Sequence, residues 1–371
     1  MTSEPFSNMI ESKNYNCYEF YLAATEKYGD YKQAQHMDEM VMRSKFICDI
    51  EALATYFHKE LGLKRGDVYS IFVPSDIESF TAFYALNKLG VIVNFIHPLL
   101  PDEALIETVK ESGSKGIMVL GLLGLKQHNV DAVNSLGLPI LLCRCSDYAS
   151  PAKKASAGMG EALLEKILGY KNATLYKDVV EKYEGRTVEG CINNCDDIAV
   201  YLNGGGTTGK SKTIKLTNKA INENVHKLGY IDHIEDPGEE AEIIILPFFH
   251  AFGLVVAGHM ALCNAARIIP LMQFDAKLVL KLYKNNKVVG IGGIPNMFKK
   301  LYNTPGFDGP HLKNTRMMFV GGDDLSPAFL EAFNGMLERN GTSARLRQGY
   351  GLTEVGSVCC VNTNWVYKDG S

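Results

Sequence analysis

Residues 198–217 read IAVYLNGGGTTGKSKTIKLT, and the rest of the chain can be placed around them. An apolar, β-rich run enters a loop of glycines and threonines, and a second β-rich run leaves it with lysines on the exit side. Glycines allow backbone N–H groups to converge on an anion, while hydroxyl and ammonium groups add donors and positive charge. The pattern therefore predicts a phosphate-binding loop between two strands.

Two interpretations of this loop compete. Residues 204–211 match the pattern G-x-x-x-x-G-K-S/T of a P-loop NTPase, in which Lys210 would contact phosphate and Ser211 would bind magnesium. A P-loop runs directly into a helix, whereas residues 212–217 alternate polar and apolar side chains with the period of a strand. A helix is predicted only from about Thr217. The pattern favours a strand-loop-strand phosphate clamp, with the P-loop NTPase as the weaker alternative.

Composition limits the possible partners. The chain has 371 residues, of which 46% are hydrophobic, and a net charge of −4. It can therefore bury a sizeable core, and it has no basic footprint of the kind that nucleic-acid binding requires.

Residues 243–266 contain no charged Asp, Glu, Lys or Arg, but Pro247, Gly253 and Gly258 interrupt the run. We expect a buried strand and helix here and no membrane span.

The nine cysteines indicate a reducing environment. Their number is odd, their spacing is irregular, and no signal peptide is visible at the N-terminus. These features favour reduced thiols in the cytoplasm. The close pairs Cys143 with Cys145 and Cys191 with Cys195 could hold zinc, although their spacing is unusual for that metal. Buried free thiols are the favoured explanation.

Strand and helix patterns alternate along the chain, which indicates a largely parallel α/β sheet. Residues 146–160, rich in Ser, Ala, Lys and Gly, read as a flexible crossing. Residues 75–78 read as a capping box, and Thr217, Asp275 and Ser326 as helix starts. The main predicted helices are 17–28 and 37–61, and the predicted strands are 68–73, 91–94, 116–120, 139–142, 243–246, 267–270, 288–291 and 316–320.

The loop resembles the signature Y-S/T-S-G-T-T-G-x-P-K-G of the AMP-binding, adenylate-forming superfamily, which includes acyl-CoA synthetases, firefly luciferase and peptide-synthetase adenylation domains. It departs from that signature at Gly204, Gly205, Ser211 and Thr213. The resemblance implies an α/β fold with two mainly parallel β-sheets flanked by helices, and an incomplete terminal barrel. It also implies phosphate contacts from Gly206, Thr207, Thr208, Gly209, Lys210 and Lys212.

Two further segments resemble the acyl pocket of this family. Residues 247–254, PFFHAFGL, are similar to P-x-x-H-x-x-G-L, and residues 288–295 are similar to V-T-x-x-x-x-V-P. The second segment fits a plain strand equally well, followed by a helix with Pro295 at its first position. Peptide-synthetase domains carry an aspartate near the histidine for an amino group, and this chain does not, which favours an uncharged acyl or aryl acid. The implied pocket residues are His250, Phe252, Gly253, Gly292, Gly293 and Ile294.

Two more segments resemble the nucleotide site. Residues 321–327, GGDDLSP, are similar to the family's glycine turn beside adenine, and residues 348–354, QGYGLTE, retain Q-x-Y-G-x-T-E. By this resemblance Tyr350 stacks on adenine, Thr353 contacts the α-phosphate and Glu354 binds Mg²⁺. The implied catalytic residues are Thr207, Lys212, Thr353 and Glu354. The further implied nucleotide contacts are Gly322, Asp323, Asp324, Gln348, Gly349 and Gly351.

The activity implied is that of an acid–thiol ligase. ATP with Mg²⁺ would adenylate a small carboxylic acid and release pyrophosphate, and the acyl group would pass to coenzyme A or to a carrier protein. The family's Y-x-T/S-G-D segment and its C-terminal lysine domain are not found after Glu354. We therefore expect the large N-terminal domain alone, with weak or no turnover, divided at 1–195, 196–345 and 346–371. A non-catalytic nucleotide- or acyl-binding module is the alternative.

Overall fold

The computed structural model describes residues 14–37, 39–121, 127–192, 194–204, 212–229 and 234–362. Within these ranges the strands form two sheets, one of eight strands and one of seven, with helices packed against both. Most neighbouring strands run parallel. The predicted fold, α/β with two mainly parallel sheets, is confirmed.

The first sheet contains the two strands that flank the predicted phosphate loop. Its strand order is 7-6-5-3-4-8-9, and every described pair is parallel except the last. The strands are β3 (Val68–Phe72), β4 (Ile92–Phe95), β5 (Ser114–Leu120), β6 (Ile140–Cys143), β7 (Ala173–Leu175), β8 (Ile198–Gly204) and β9 (Lys212–Thr217). Because β9 pairs antiparallel with β8, the strand-loop-strand prediction is confirmed at both strands. A P-loop would instead have continued as a helix.

The second sheet has the order 15-14-13-12-10-11-1-2, parallel in its centre and antiparallel at its two ends. The strands are β1 (Lys32–His36), β2 (Glu39–Met42), β10 (Glu240–Ile244), β11 (Arg267–Pro270), β12 (Lys287–Gly293), β13 (Met317–Val320), β14 (Leu346–Leu352) and β15 (Ser357–Val361). The carboxyl ends of its central parallel strands therefore face one edge, where open α/β sheets bind ligands.

The helices begin largely where capping residues predict. The side chains of Thr217, Asp275 and Ser326 accept backbone N–H bonds, and Pro295 occupies the first position of its helix. The α-helices are α1 (Cys17–Thr25), α2 (Arg43–Lys59), α3 (Ile77–Lys88), α4 (Asp102–Ser112), α5 (Gln127–Ser135), α6 (Pro151–Leu168), α7 (Tyr176–Lys182), α8 (Asn218–Leu228), α9 (Ala261–Cys263), α10 (Ala276–Asn285), α11 (Pro295–Tyr302) and α12 (Pro327–Arg339).

Three local predictions are wrong. Residues 37–61 do not form one helix, because residues 39–42 pair with β1 as strand β2 before α2 begins. Residues 146–160 are not a flexible crossing, since most of them lie in α6, where alanine and leucine outweigh the glycines in helix propensity. The capping box of α3 is shifted by one residue: Asp76 is the cap, with Ser79 as its partner.

A π-helix, Phe252–Met260, continues into α9 between the two sheets. A Cβ atom on Gly258 would lie 1.9 Å from Cζ of Phe80, so glycine lets α3 approach closely. Tyr84 and His259 join the same two elements with a hydrogen bond of 2.7 Å. Residues 243–266 are thus buried strand and helix, as predicted, and no helix in the described part of the chain is long and apolar enough to cross a membrane.

The predicted division at residue 195 stays a prediction. Strands β8 and β9 follow that position and complete the seven-stranded sheet, whereas β1 and β2 precede it and extend the eight-stranded sheet. The chain therefore crosses between the sheets more than once. At one edge of the eight-stranded sheet, β14 and β15 form the antiparallel pair that contains most of the predicted nucleotide motif.

Candidate functional site

The glycine turn after β13 lets three elements meet. Gly321 donates its N–H to the carbonyl of Gly293 at 3.1 Å. A Cβ atom at position 321 would lie 3.3 Å from the carbonyl oxygen of Gly349 and 3.3 Å from the ring of Phe252. Gly322 has a φ of +84°, which favours glycine. The turn thus places backbone at the carboxyl ends of the parallel strands, beside an aromatic ring.

A compact bend after β10 forms the opposite wall. His250 donates its N–H to the carbonyl of Pro247 at 3.1 Å, and Leu254 donates to the carbonyl of His250 at 3.0 Å. A Cβ atom on Gly253 would lie 2.1 Å from the carbonyl oxygen of Pro247, so only glycine fits. This bend presents His250 and Phe252 to the glycine turn.

The β14–β15 pair supplies the third side. Tyr350 lies opposite Cys360 in the register, and its side chain is 60% exposed. A Cβ atom on Gly351 would lie 1.9 Å from the carbonyl oxygen of Ser357, so glycine is required for the strands to pair here. Gln348 donates its side-chain amide to the carbonyl of Leu325 at 3.0 Å, which ties β14 to the glycine turn.

These three segments enclose a cavity of about 370 Å³. Nine of the fourteen described residues that were predicted for the nucleotide and acyl pockets line it together. They are His250, Phe252, Gly253, Ile294, Gly322, Gly349, Tyr350, Gly351 and Thr353.

Apolar side chains that no motif marks line the rest of the cavity. They come from α8, the segment that follows β10, the π-helix, β13 and β15, which are far apart in the chain. An apolar residue in a helix or strand gives no sequence signal that separates cavity lining from core. The residues are Leu228, Leu246, Val256, Met260, Phe319, Val358 and Val361.

Other predicted residues lie beside the cavity. Gly292 borders a second cavity of about 20 Å³ that shares Phe252 as part of its wall. At Gly293 a Cβ atom would lie 3.1 Å from the Phe298 ring, so this glycine accommodates core packing. The Asp323 carboxylate accepts the backbone N–H of Asp324 at 2.8 Å, and both side chains are exposed at the turn.

The phosphate hairpin approaches the Thr353–Val355 turn. Strand β9, which begins with Lys212, packs against this turn, and a Cβ atom on Gly356 would lie 3.1 Å from the carbonyl oxygen of Ala220. Asn224 of α8 donates to the carbonyl of Val358 at 3.1 Å and accepts its N–H at 3.5 Å. The predicted contacts Gly206, Thr207, Thr208, Gly209 and Lys210 lie outside the described residues.

The electrostatics of the bend favour a neutral imidazole. Partial withdrawal from water, assisted by the nearby His97, lowers the pKa of His250 below its usual value of 6.5. Withdrawal from water also lowers the pKa of His97. Both imidazoles pack against Phe249: the ring centroids of His97 and His250 lie 4.3 and 4.6 Å from its centroid. His250 can therefore act at neutral pH as a hydrogen-bonding group but not as a cation.

One carboxylate at the site suits a hard cation. Glu354 is exposed in the Thr353–Val355 turn, which contacts β9. A carboxylate next to a phosphate site is the oxygen donor that Mg²⁺ prefers, with phosphate oxygens and water as its other ligands. Within the described ranges, no cluster of three or more His, Cys, Asp or Glu side chains could hold a metal by itself.

A glycine turn, an exposed tyrosine and an apolar cavity at the carboxyl edge of a parallel sheet define an α/β ligand-binding protein. The sequence profile described as AMP-binding enzyme matches residues 44–371. The chain belongs to this AMP-binding family, as its motifs predict.

Curated relatives are similar to the chain in sequence, and solved structures are similar to it in fold. The chain is 25% identical over 363 residues to a long-chain-fatty-acid–CoA ligase of Yersinia pestis, which covers 93% of the chain and 61% of the relative. It is 25% identical over 346 residues to a probable 4-coumarate–CoA ligase 3 of Dictyostelium discoideum, with 88% and 58% covered. The anthranilate CoA ligase AuaEII, solved with anthranoyl-AMP, has a similar fold, with a TM-score of 0.76, 16% identity, and 96% and 64% covered. The chain thus spans about three fifths of the length of these curated relatives.

Proposed function

We propose that the protein containing this chain uses ATP to adenylate a carboxylic acid and then passes the acyl group to a thiol. The observation that carries this proposal is the convergence of three predicted segments on one cavity: the glycine turn, the bend at His250 and the strand containing Tyr350. These segments are far apart in sequence. Their common cavity suits a nucleotide at its polar rim and an apolar acid along its inner wall.

The residues have distinct proposed roles. The exposed ring of Tyr350 stacks on adenine while the backbone at Gly322 borders it. Thr353 donates its hydroxyl to the α-phosphate, and Lys212 with the loop before it neutralises the departing pyrophosphate. The neutral His250 donates or accepts a hydrogen bond at the acid's carboxylate. The carboxylate oxygen attacks the α-phosphorus, the bond to the β-phosphate oxygen breaks, and acyl-AMP and pyrophosphate form.

Glu354 is the proposed ligand of Mg²⁺. The ion would supply positive charge beside the phosphates. Its attraction for their oxygens would strengthen as negative charge develops on the departing pyrophosphate. Coenzyme A is the proposed acceptor thiol, with a carrier protein as the second possibility. The names of the curated relatives, two CoA ligases, support this choice. The apolar lining supports an uncharged acyl or aryl acid as substrate.

Exchange of labelled pyrophosphate into ATP tests the proposal, with a panel of aliphatic and aromatic acids. We expect exchange that depends on the acid, and we expect Glu354→Gln to lower it on the order of 10²-fold because one charge-stabilising group is lost. Glu111→Gln, at an exposed position of α4, is the matched control and should exchange normally. Binding of an acyl-adenylate analogue without any exchange would indicate the non-catalytic binding module instead. Release of orthophosphate without an acid would indicate an ATPase.

A further inference from the structure

Strand β10 carries a glutamate in the core behind the cavity of the candidate site. All five residues of β10 are buried, and Glu242 is 6% exposed. It lies between Ile268 of β11 and Gly290 of β12 in the strand register, within the eight-stranded sheet. Acidic side chains are rarely this buried unless they make polar contacts. A carboxyl group at this position therefore serves a polar contact.

Glycines on the neighbouring strand give this carboxyl group its space. A Cβ atom on Gly290 would lie 2.9 Å from Cγ of Glu242 and 3.1 Å from its Oε2. Glu242 and Gly292 both line the smaller cavity of about 20 Å³. Among the nine described residues that line this cavity, Glu242 alone has a charged or strongly hydrogen-bonding side chain. A space of that volume holds about one water molecule, or one chemical group of the same size.

The smaller cavity shares a wall with the main cavity. Four residues line both: Phe252, Val256, Met260 and Phe319. Two distances place the Phe252 ring at both cavities. A Cβ atom on Gly321, which lines the main cavity, would lie 3.3 Å from Cε1 of the ring, and a Cβ atom on Gly292 would lie 3.6 Å from its Cζ. One layer of side chains therefore separates the two cavities, with Glu242 on the far side of it.

The shared wall runs from the bend at His250 into the core. Val256 and Met260 follow Phe252 at intervals of four residues along the π-helix. In the proposed function the acid's carboxylate lies at His250 and its apolar part follows this wall. Such an acid points its far end toward Glu242. Met260 has an unbranched, flexible side chain, which can move aside to admit that end.

We propose that Glu242 determines substrate specificity by accepting a hydrogen bond from a hydroxyl group at the far end of the acid. This inference rests on the proposed function and narrows its substrate to a hydroxy acid. A hydroxyl group has one proton to donate, which the carboxyl group accepts. An ammonium group has three, and the apolar residues around Glu242 could not accept the other two. Space for a single water-sized group excludes a larger polar end.

Pyrophosphate exchange with matched pairs of acids tests this assignment. The pairs are ω-hydroxydecanoate with decanoate, and para-hydroxyphenylpropanoate with phenylpropanoate, and ω-aminodecanoate is assayed beside the first pair. The measured quantity is the ratio of kcat/KM for the hydroxylated acid to kcat/KM for its unsubstituted partner. Both acids of a pair are assayed on the same preparation, so the ratio does not depend on what fraction of a variant is folded.

Three variants separate recognition from packing. Glu242→Leu removes the acceptor at similar size, and Glu242→Gln keeps an acceptor oxygen. Ile243→Val is the control, because Ile243 is buried in the same strand but packs in the core on the other face of the sheet. A change that acts only through packing should alter kcat/KM for both acids of a pair equally.

We expect the wild-type protein to favour the hydroxylated acid about tenfold or more in at least one pair. Glu242→Leu should lower that ratio about 10- to 100-fold, since the hydroxyl group would lose its acceptor in an apolar space. Glu242→Gln should retain part of the preference, and Ile243→Val should keep the ratio within about twofold. No preference in either pair, equal ratios in wild type and Glu242→Leu, or a stronger preference for ω-aminodecanoate would each overturn the assignment.

Calorimetric binding of the same acids, with a non-hydrolysable ATP analogue present, separates this inference from adenylation itself. Suppose that no acid supports exchange, but the hydroxylated acid binds more tightly and loses that advantage in Glu242→Leu. The adenylation proposal then fails, and the role of Glu242 stands. Acid-dependent exchange with a ratio that Glu242→Leu leaves unchanged would give the opposite result.

Discussion

Gly351, like Gly258, is a position where an added methyl group has very little room. Its Cβ atom would lie 1.9 Å from the carbonyl oxygen of Ser357, so β14 and β15 would have to separate. We expect Gly351→Ala to lower the free energy of unfolding by about 1–3 kcal/mol or more, as overpacking does. It should also abolish binding of ATP analogues, because Tyr350 and Thr353 flank the distorted position.

Urea unfolding and calorimetry measure these two effects. Gly335→Ala in α12 is the control, because its Cβ atom would meet only Nη1 of Arg339 at 3.6 Å. That change should stabilise the protein by up to about 1 kcal/mol through helix propensity. If Gly351→Ala kept wild-type stability and affinity, the strand pairing at this position would not control the site.

At the residue scale, motif chemistry was more informative than composition. The resemblance predicted nine residues that line the cavity, because each stands in a short pattern with a defined chemical role. It did not predict Leu228 or Val358, which are single apolar residues on elements 130 positions apart. Asp76 was mistaken for part of the helix because Ser75 also has a capping side chain, and only the tertiary contact of Ser75 decides between them.

At the scale of elements, Ser75 connects α3 to the bend that carries His250. Its hydroxyl donates to the carbonyl of Leu246 at 3.3 Å and accepts the N–H of Phe248 at 3.0 Å. Ser75→Ala leaves these two buried backbone groups without that partner, which should cost about 1–3 kcal/mol of stability. Because the bend forms the acid side of the cavity, we expect the KM for the acid to rise while the KM for ATP changes little.

Ser70→Ala is the matched control for this change. Ser70 is also buried, and its hydroxyl contacts Ser114 and Asn94 within the seven-stranded sheet. It should lose comparable stability without a change in either KM. An equal rise in the KM for the acid in both variants would mean that Ser75 has only a general structural role.

Elements with strong periodicity or caps were predictable, and those decided by distant pairing were not. Asp275 caps α10 as predicted, because its side chain can accept the first free N–H groups of the helix. Strand β1 has the sequence KQAQH, which lacks β-branched and aromatic residues. It is a strand because it pairs with β2 on one side, and on the other side Ala34 pairs with Ile268 of β11, more than 200 residues away. The residues next to Ala34 in the sequence do not indicate that it pairs with Ile268.

At the scale of the whole molecule, buried titratable groups should set how stability depends on pH. His259 is fully buried between Tyr84 and Asn222, and burial lowers its pKa to about 3. The unfolded chain takes up this proton below about pH 6.5, whereas the folded chain does not. As pH falls from about 6.5 to 3, the free energy of unfolding therefore decreases through His259 by roughly 1.4 kcal/mol per pH unit.

His259→Gln should remove this dependence, and urea unfolding at several pH values between 4 and 6 tests it. Burial raises the pKa of Asp76 and Glu78, and these groups favour the folded state at low pH, with the opposite slope. The comparison is therefore between wild type and variant at each pH. The two slopes should differ by about one proton. Parallel curves would show that His259 becomes protonated in the folded state.

The overall architecture followed from alternating strand and helix patterns, but the order of strands did not. Alternation indicates parallel βαβ units, and the resemblance adds the second sheet. The placement of β8 beside β4 in the first sheet, and of β1 beside β11 in the second, depends on pairings between remote segments. Burial of a common core between the sheets decides those pairings, and many arrangements share the same local pattern.

The bond between Asn224 and the backbone of Val358 has a consequence for protein engineering. It fastens the helix after the phosphate hairpin to the last strand of the other sheet. A chimera that swapped only the hairpin, residues 198–217, would leave both partners of this bond in the recipient and would join the donor hairpin to a foreign α8. A transplanted cassette spanning residues 198–228 would bring its own Asn224, and a recipient with a compatible backbone at the position of Val358 should accept it whole.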